Sequence, residues 1–345
     1  MTQRSRYPRI ALVGPRGAVG SEYLALLAER KVPAENLRLV GHTDPENGWV
    51  DYRGHSLEVR TLDAHAFDGI EFAFFATDRN LSRAWCPVAV DAGATVIDNS
   101  SAFRSSAAVP LVVPQVNPEI LSDFERPGIV SVANCTTIIT LMAVAVIHRA
   151  VGISRMQLTT YQAISGAGRA ALRELHSQAR EHVAGQPIRT EALPSQSLFN
   201  VFSHESKIDE SGFNDEERKI RGESRRILGD DRLEVSATCM RVGVPRAHLV
   251  AINLELCEDL DADAAARLVE AAPGVRLVDD RRSNRFPEPL EASGTDEVLV
   301  GRFRNDPDRG RRGVLLLACG DQLRPGAALS GIQLMEQLVT PAQKP

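Results

Sequence analysis

The chain is short of cysteine, has no surplus of positive charge and carries no long apolar run. Its five cysteines, Cys86, Cys135, Cys239, Cys257 and Cys319, are odd in number, far apart, and form no C-x-x-C pair. That pattern argues against a disulfide framework and against a zinc site, so no metal is expected and a reducing compartment fits. Lys and Arg number 40 against 45 Asp and Glu, a formal charge of −5. No net positive field is available to hold nucleic acid. The longest apolar stretch, Ile138 to Ile147 with Thr140 inside it, is about half the length that a membrane span needs. The apolar run after the polar, basic start, Ile10–Val13, is too short for a signal peptide. No internal repeat and no low-complexity tract is visible. These absences predict a soluble, cytoplasmic protein with no nucleic-acid and no membrane partner.

What is present is a globular composition, 43% hydrophobic and 25% charged. At about 150 residues per domain, 345 residues predict roughly two domains and a large core. The first 130 residues alternate strand and helix signals. Arg9–Val13, Leu37–Val40, Glu71–Ala76 and Thr95–Asp98 read as short buried strands, and Ser21–Arg30 has helical spacing. Such alternation predicts βαβ units in a parallel, doubly wound sheet. Beyond Cys135 the character changes. Thr136–Val151 reads as one apolar helix, and Met156–Ile164, Leu233–Val242, Leu249–Leu256 and Val314–Ala318 as strands. Residues 185–212 are polar and read as a long surface loop, and Asp321–Leu338 reads as a terminal helix. This half predicts an α+β domain.

The strand Ile10–Val13 runs into Gly14-Pro15-Arg16-Gly17-Ala18-Val19-Gly20 and then a helix. Glycines at 14, 17 and 20 permit a tight turn, close backbone approach to a diphosphate, and close helix–strand packing. The spacing is a variant of the dinucleotide fingerprint, and its place after the first strand favours dinucleotide binding over a plain turn. After the second strand comes His42-Thr43-Asp44-Pro45, with Asp44 lying 24 residues past Gly20. An acidic side chain there accepts from a ribose 2′-hydroxyl and repels a 2′-phosphate. The other reading is that Asp44-Pro45 starts a turn.

Asn134-Cys135-Thr136-Thr137 precedes the apolar helix. A cysteine at a helix start has its thiolate favoured by the dipole and the free N–H groups. The alternative is an inert buried thiol, which is how the other four cysteines read. A nucleophilic thiol needs a base. Seven of the eight histidines have bland surroundings and read as surface or helix-face residues. His248 differs, since it opens a strand after the Gly/Pro break Gly243-Val244-Pro245. Spacing alone does not bring it to Cys135.

With these pieces assembled, the chain resembles the aspartate-semialdehyde dehydrogenases from about Arg9 to Leu338. The blocks that carry the resemblance are GPRGAVG (14–20), DNSSAFR (98–104), VPLVVPQVNP (109–118), NCTT (134–137), TYQAISGAG (160–168), EERK (216–219), SATCMRVGVPRAH (236–248) and GAALSGIQL (326–334). The N-acyl-glutamyl-phosphate reductases share the fold and the Cys/His chemistry, but their cysteine neighbourhood differs from NCTT. The resemblance implies an N-terminal Rossmann-type domain, residues 1–133 completed by 321–345, and a central α+β catalytic and dimerisation domain, residues 134–320. It implies an NAD(P)-dependent, phosphorylating oxidation of L-aspartate 4-semialdehyde to L-4-aspartyl phosphate, in amino-acid biosynthesis toward lysine, threonine and methionine, by a homodimer.

The roles it implies are these. Cys135 is the acyl-thioester nucleophile, His248 the general acid/base, and Gln162 orients the substrate. Arg241 clamps the α-carboxylate, a task suited to its planar fork, and Glu216 holds the α-ammonium. Arg104, Lys219 and Asn134 hold phosphate. Glu216 and Lys219, three apart, share a face if they lie on a helix; taken alone they read as a surface ion pair. Gly14, Arg16, Gly17, Ala18, Val19, Asp44, Thr77, Ser165, Gly166 and Gln333 hold NADP or NAD.

The chain departs from the family in places. Asp44 stands where a Ser-x-Arg-Ser-type segment puts an arginine, which leans toward NAD. Leu329-Ser330 replaces a common Trp-Asn, and Pro15 is unusual in the diphosphate loop. Two other readings are the same chemistry on another carboxylated semialdehyde, and a non-catalytic homologue with a binding role.

Overall fold

Short apolar runs build the centre of the first sheet, because a strand covered on both faces has no polar face to alternate with. Eight strands line up: β1 (Ile10–Val13), β2 (Leu37–Gly41), β3 (Trp49–Tyr52), β4 (His55–Thr61), β5 (Phe72–Phe75), β6 (Thr95–Asp98), β7 (Leu111–Val112) and β8 (Ile129–Val132). Their order is β3-β4-β2-β1-β5-β6-β8-β7. All neighbours are parallel except β3 and β4. β1, β5 and β6 are buried at every residue. Helix α1 (Ala18–Glu29) leaves the glycine loop three residues earlier than Ser21, and α2 (Arg79–Asp91) is capped by Asp78, whose carboxylate accepts from Asn80 N and Leu81 N. This computed structural model describes residues 7–41 and 48–339. Asp44 therefore lies outside the described residues.

The chain divides into two compact units, one ending at Ala133 and resuming at Ala327, the other spanning Asn134–Gly326. The second opens with α3 (Cys135–Val151), most of whose residues are buried. It continues through β9 (Ile153–Gln162), α4 (Arg169–Val183), β10 (Val201–Ser203), α5 (Asp215–Leu228), β11 (Glu234–Val242), β12 (His248–Leu256), α6 (Ala262–Glu270), β13 (Val275–Leu277), a single turn α7 (Pro289–Ala292), β14 (Val298–Asp306) and β15 (Gly310–Gly320). These strands form a mixed sheet in the order β10-β11-β9-β12-β15-β14-β13. The chain then rejoins the first unit as α8 (Leu329–Val339), where Gly331 packs on Tyr23 so closely that a Cβ would collide with the phenol oxygen.

Three expectations need correction. The terminal helix does not run from Asp321. Residues Arg324–Ala328 form a wide π turn around Pro325 and Gly326, and only α8 is a regular helix. Asp321 to Gly326 stay with the second unit, against the expected boundary after residue 320. Asp321 there accepts from the Gly294 N–H and pairs with Arg246, and Gln322 accepts from the Ala247 N–H. The polar stretch 185–212 is not all loop either, since β10 pairs antiparallel with β11 and sets Phe202 opposite Arg241.

Candidate active site

In the first unit the glycine loop is shaped by what cannot fit. Gly14 has φ +86°, and a Cβ on it would stand 2.6 Å from the Ala76 carbonyl oxygen. A Cβ on Gly20 would collide with the Gly14 carbonyl oxygen. Gly17 is the N-cap of α1, with no side-chain cap bond and no acidic residue in the first turn. Ala18 and Val19 open the helix. That bare, positive end fits a diphosphate. Arg16 is half-buried in the loop, and the Thr77 methyl abuts the Gly14 turn. Arg104 donates to the Asn99 carbonyl at 2.6 Å, and Gln333 accepts from Gln115 at 2.7 Å.

In the second unit Cys135 is the first residue of α3. Its N-cap Asn134 accepts from the N–H groups of Thr136 at 3.0 Å and Thr137 at 3.2 Å. The Asn134 amide nitrogen donates to Glu216 Oε1 at 2.9 Å. The amide oxygen thus holds the helix start and one amide N–H holds Glu216. Gly326 lies over Cys135, and a Cβ there would come within 3.0 Å of the Cys135 Cβ. Burial pushes the thiols of Cys86 and Cys319 far up and that of Cys239 up to about 12, while Cys257 is exposed. The three buried thiols are thus protonated at neutral pH.

Glu216 is the hub. It sits in the first turn of α5, where the capping box of Asn214 and Glu217 starts the helix. Gln162 Nε2 donates to the same Oε1 at 3.3 Å, and Lys219 Nζ lies 3.4 Å from Oε2. The i, i+3 pair therefore does share a face, but Glu216 is buried rather than a surface partner. Burial pushes its carboxyl up; Lys219, His204, the Asn134 hydrogen bond and Arg241 outweigh it and bring it down to about 2.

Cys135 follows Asn134, and Ala163 follows Gln162, so this one carboxylate ties the nucleophile's helix to the end of β9. Ala163 then joins two further expected residues. Its N–H donates to His248 Nδ1 at 3.0 Å, and its carbonyl accepts from Arg241 at 3.1 Å. A Cβ on Gly166 would stand 2.8 Å from that same Arg241 nitrogen and 3.2 Å from His248 Nε2. Both side chains thus face the space that Gly166 leaves open. Ser165 sits beside it and accepts from Gln322. His248 is fully buried, and among the described residues its Nε2 has no hydrogen-bond partner. Burial and then the Arg241 charge lower the ring's pKa to about 3. Ala247, just before it, is held at φ +71°, a backbone region that favours glycine.

Sequence reasoning missed three residues here. His204 read as a surface histidine, yet it is buried and accepts from Ser206 N–H. Glu205 grips Arg241 with two hydrogen bonds, 2.8 Å to Nε and 2.7 Å to the second terminal nitrogen. Gln322 holds Ala247. None carried a local signal, because each owes its place to a distant strand or turn. Among the described residues no cluster of His, Cys, Asp and Glu suits a metal ion, and no helix is long and apolar enough to cross a membrane.

Comparison with known proteins matches residues 9–124 to the NAD-binding domain of semialdehyde dehydrogenases and residues 144–325 to their dimerisation domain. An aspartate-semialdehyde dehydrogenase from Synechocystis sp. is 40% identical over 96% of this chain and 97% of that protein. One from Aquifex aeolicus is 37% identical, over 96% and 98%. Among solved structures, that of aspartate semialdehyde dehydrogenase II from Vibrio cholerae, complexed with ASA, superposes with a TM-score of 0.91 at 35% identity, covering 98% of this chain and all of that one.

Proposed function

The chain belongs to the aspartate-semialdehyde dehydrogenase family, and from that premise we propose that Cys135 carries an acyl thioester while L-aspartate 4-semialdehyde and L-4-aspartyl phosphate interconvert. The observation that carries this reading is the hydrogen-bonded chain from the Asn134 cap through Glu216 and Gln162 to Ala163 and His248. It holds a nucleophile, an oxyanion donor and the charges for an amino acid in one unit.

In the oxidative direction the Cys135 thiolate forms a bond to the aldehyde carbon, and the carbonyl oxygen gains negative charge. The buried Nε2–H of His248 donates to that oxygen. No proton need leave the ring, because the alkoxide re-forms its C=O bond directly as the thioester appears. NAD or NADP, when bound, supplies the hydride acceptor for that carbon. A phosphate oxygen then attacks the thioester carbon. The C–S bond breaks, and the charge departs onto sulfur at the N-terminus of α3, where the helix dipole stabilises it.

Glu216, ionised across the physiological range, attracts the α-ammonium. Arg241 takes the α-carboxylate, and Gln162 orients the substrate beside Glu216. Lys219 and Arg104 receive phosphate. Gly14, Arg16, Gly17, Ala18, Val19, Thr77, Gln333, Ser165 and Gly166 are the cofactor residues of this reading. The dimerisation domain supports a homodimer.

The test is cofactor reduction with L-aspartate 4-semialdehyde and phosphate, with Cys135→Ser as control. Phosphate-dependent turnover that the variant lacks is expected. No turnover with either cofactor by the folded protein overturns the reading.

A further inference from the structure

We infer that Glu205 is a positioning residue for substrate recognition: it grips one edge of the Arg241 guanidinium and so turns the other edge toward the substrate's α-carboxylate. The inference rests on the proposed function, since it needs Arg241 to be the carboxylate clamp.

An arginine has five N–H donors in a rigid plane. Glu205 takes two of them, on Nε and on one terminal nitrogen. The other terminal nitrogen gives one to the Ala163 carbonyl. Two donors remain, one on each terminal nitrogen. Those two donors are available to a carboxylate. The nitrogen bonded to Ala163 is also the one beside Gly166, and His248 Nε2 borders the same space. Glu205 therefore holds the edge away from the reacting groups, and the edge toward them stays open.

Glu205 is itself fixed from both sides. The His204 N–H donates to the Cys239 carbonyl at 2.9 Å, continuing the β10–β11 pairing. The Ser206 N–H donates to His204 Nδ1, and the Ser206 hydroxyl accepts from the Glu216 N–H at 3.2 Å. The segment that carries Glu205 is thus pinned to the strand of Arg241 and to the helix of Glu216. Burial pushes the Glu205 carboxyl up, but Arg241 overcomes this and holds it below its ordinary value. With its side chain only 3% exposed, Arg241 also needs a counter-charge before substrate arrives, because an unpaired buried cation is costly.

The experiment compares wild type, Glu205→Gln and Glu205→Ala in the phosphate-dependent assay, with KM measured separately for aspartate semialdehyde, phosphate and cofactor. The Gln variant keeps the shape and one acceptor, so it carries the test if the Ala variant does not fold. The expected result is a rise in KM for the semialdehyde of about tenfold or more, the loss of one well-placed charged contact. The other two KM values and kcat should stay within about twofold. The Gln variant should fall between wild type and Ala. A lower semialdehyde KM would mean that Glu205 competes with the substrate, and an unchanged one that it does not act on Arg241; either overturns the inference. An equal rise in all three KM values, with a lower melting temperature, would reduce Glu205 to a structural role and overturns it too. Absence of turnover in wild type would instead strike the proposed function.

Discussion

The Ala163 N–H donates to His248 Nδ1 at 3.0 Å, and that bond decides what the ring can do. An acceptor at Nδ1 means that the proton of the neutral ring is on Nε2. Nε2 is buried, has no partner among the described residues, and faces the space beside Gly166. A second proton would have to go on Nδ1, where a backbone donor already stands. In the proposed reaction the ring therefore donates a hydrogen bond from Nε2 to the developing oxyanion. His248→Ala should lower kcat by about 10²–10³-fold, the scale for one oxyanion donor. His248→Gln, which keeps an N–H, should recover part of that loss. Measured kcat values check this; a Gln variant as poor as Ala would favour an obligatory proton transfer.

The same ring makes stability depend on pH. Its folded pKa is about 3, against an unfolded value near 6.5. Between those values the unfolded chain binds the extra proton, so acid favours unfolding. The contribution is complete above about pH 6.5 and is lost as pH falls toward 3. His148 and His204 are lowered as well, chiefly by burial, and act in the same sense. Glu216, with its folded value of about 2 against an ordinary value of 4.5, adds to the loss only below about pH 4.5. Urea unfolding of wild type and His248→Gln between pH 7 and 5 isolates the effect. The variant should have the shallower slope, by up to about 1.4 kcal/mol per pH unit in the lower part of that range. Parallel slopes would show that His248 is protonated as easily folded as unfolded.

The residues differ in how far their own neighbourhood announces them. Ile10–Val13, Phe72–Phe75 and Thr95–Asp98 are legible as strands because burial on both faces demands unbroken apolar runs. β3 and β4 are not, because they form an antiparallel flap of mostly exposed residues with little apolar pattern. The expected terminal helix overran α8, since apolar spacing cannot register that Asp321 binds backbone 27 residues away at Gly294. In the site, Cys135 announces itself by standing at a helix start. Arg241, Glu216 and Gln162 were legible only through the family's motifs. Glu205 was invisible, because its meaning lies in a strand pairing that closes 36 residues of chain onto Arg241.

The glycine loop gives a prediction confined to cofactor. Gly20 lets α1 start against the Gly14 carbonyl, and a methyl group there collides with backbone that has no slack. Gly20→Ala must push α1 away from β1 and misalign the N–H groups of Ala18 and Val19. Cofactor Kd, followed by fluorescence titration, should rise by about tenfold or more. Alkylation of Cys135, in the other unit, should keep its rate. An unchanged Kd would remove this loop from the cofactor site.

Cofactor choice turns on Asp44, and the argument for it is electrostatic. A carboxylate near the adenosine ribose accepts from a 2′-hydroxyl but repels a 2′-phosphate. At about 4 Å one such charge pair costs roughly 1 kcal/mol in water and about 4 near a protein surface. Against a phosphate of nearly two charges, that is tenfold or more in affinity. Wild type should therefore use NAD at least as efficiently as NADP. Asp44→Ser should raise kcat/KM for NADP by about tenfold and lower that for NAD, because the repulsion and the 2′-hydroxyl acceptor are lost together. Steady-state kinetics with both cofactors decide it. A wild-type preference for NADP of about a hundredfold or more would mean that the side chain points away from the ribose and that Asp44-Pro45 only starts a turn.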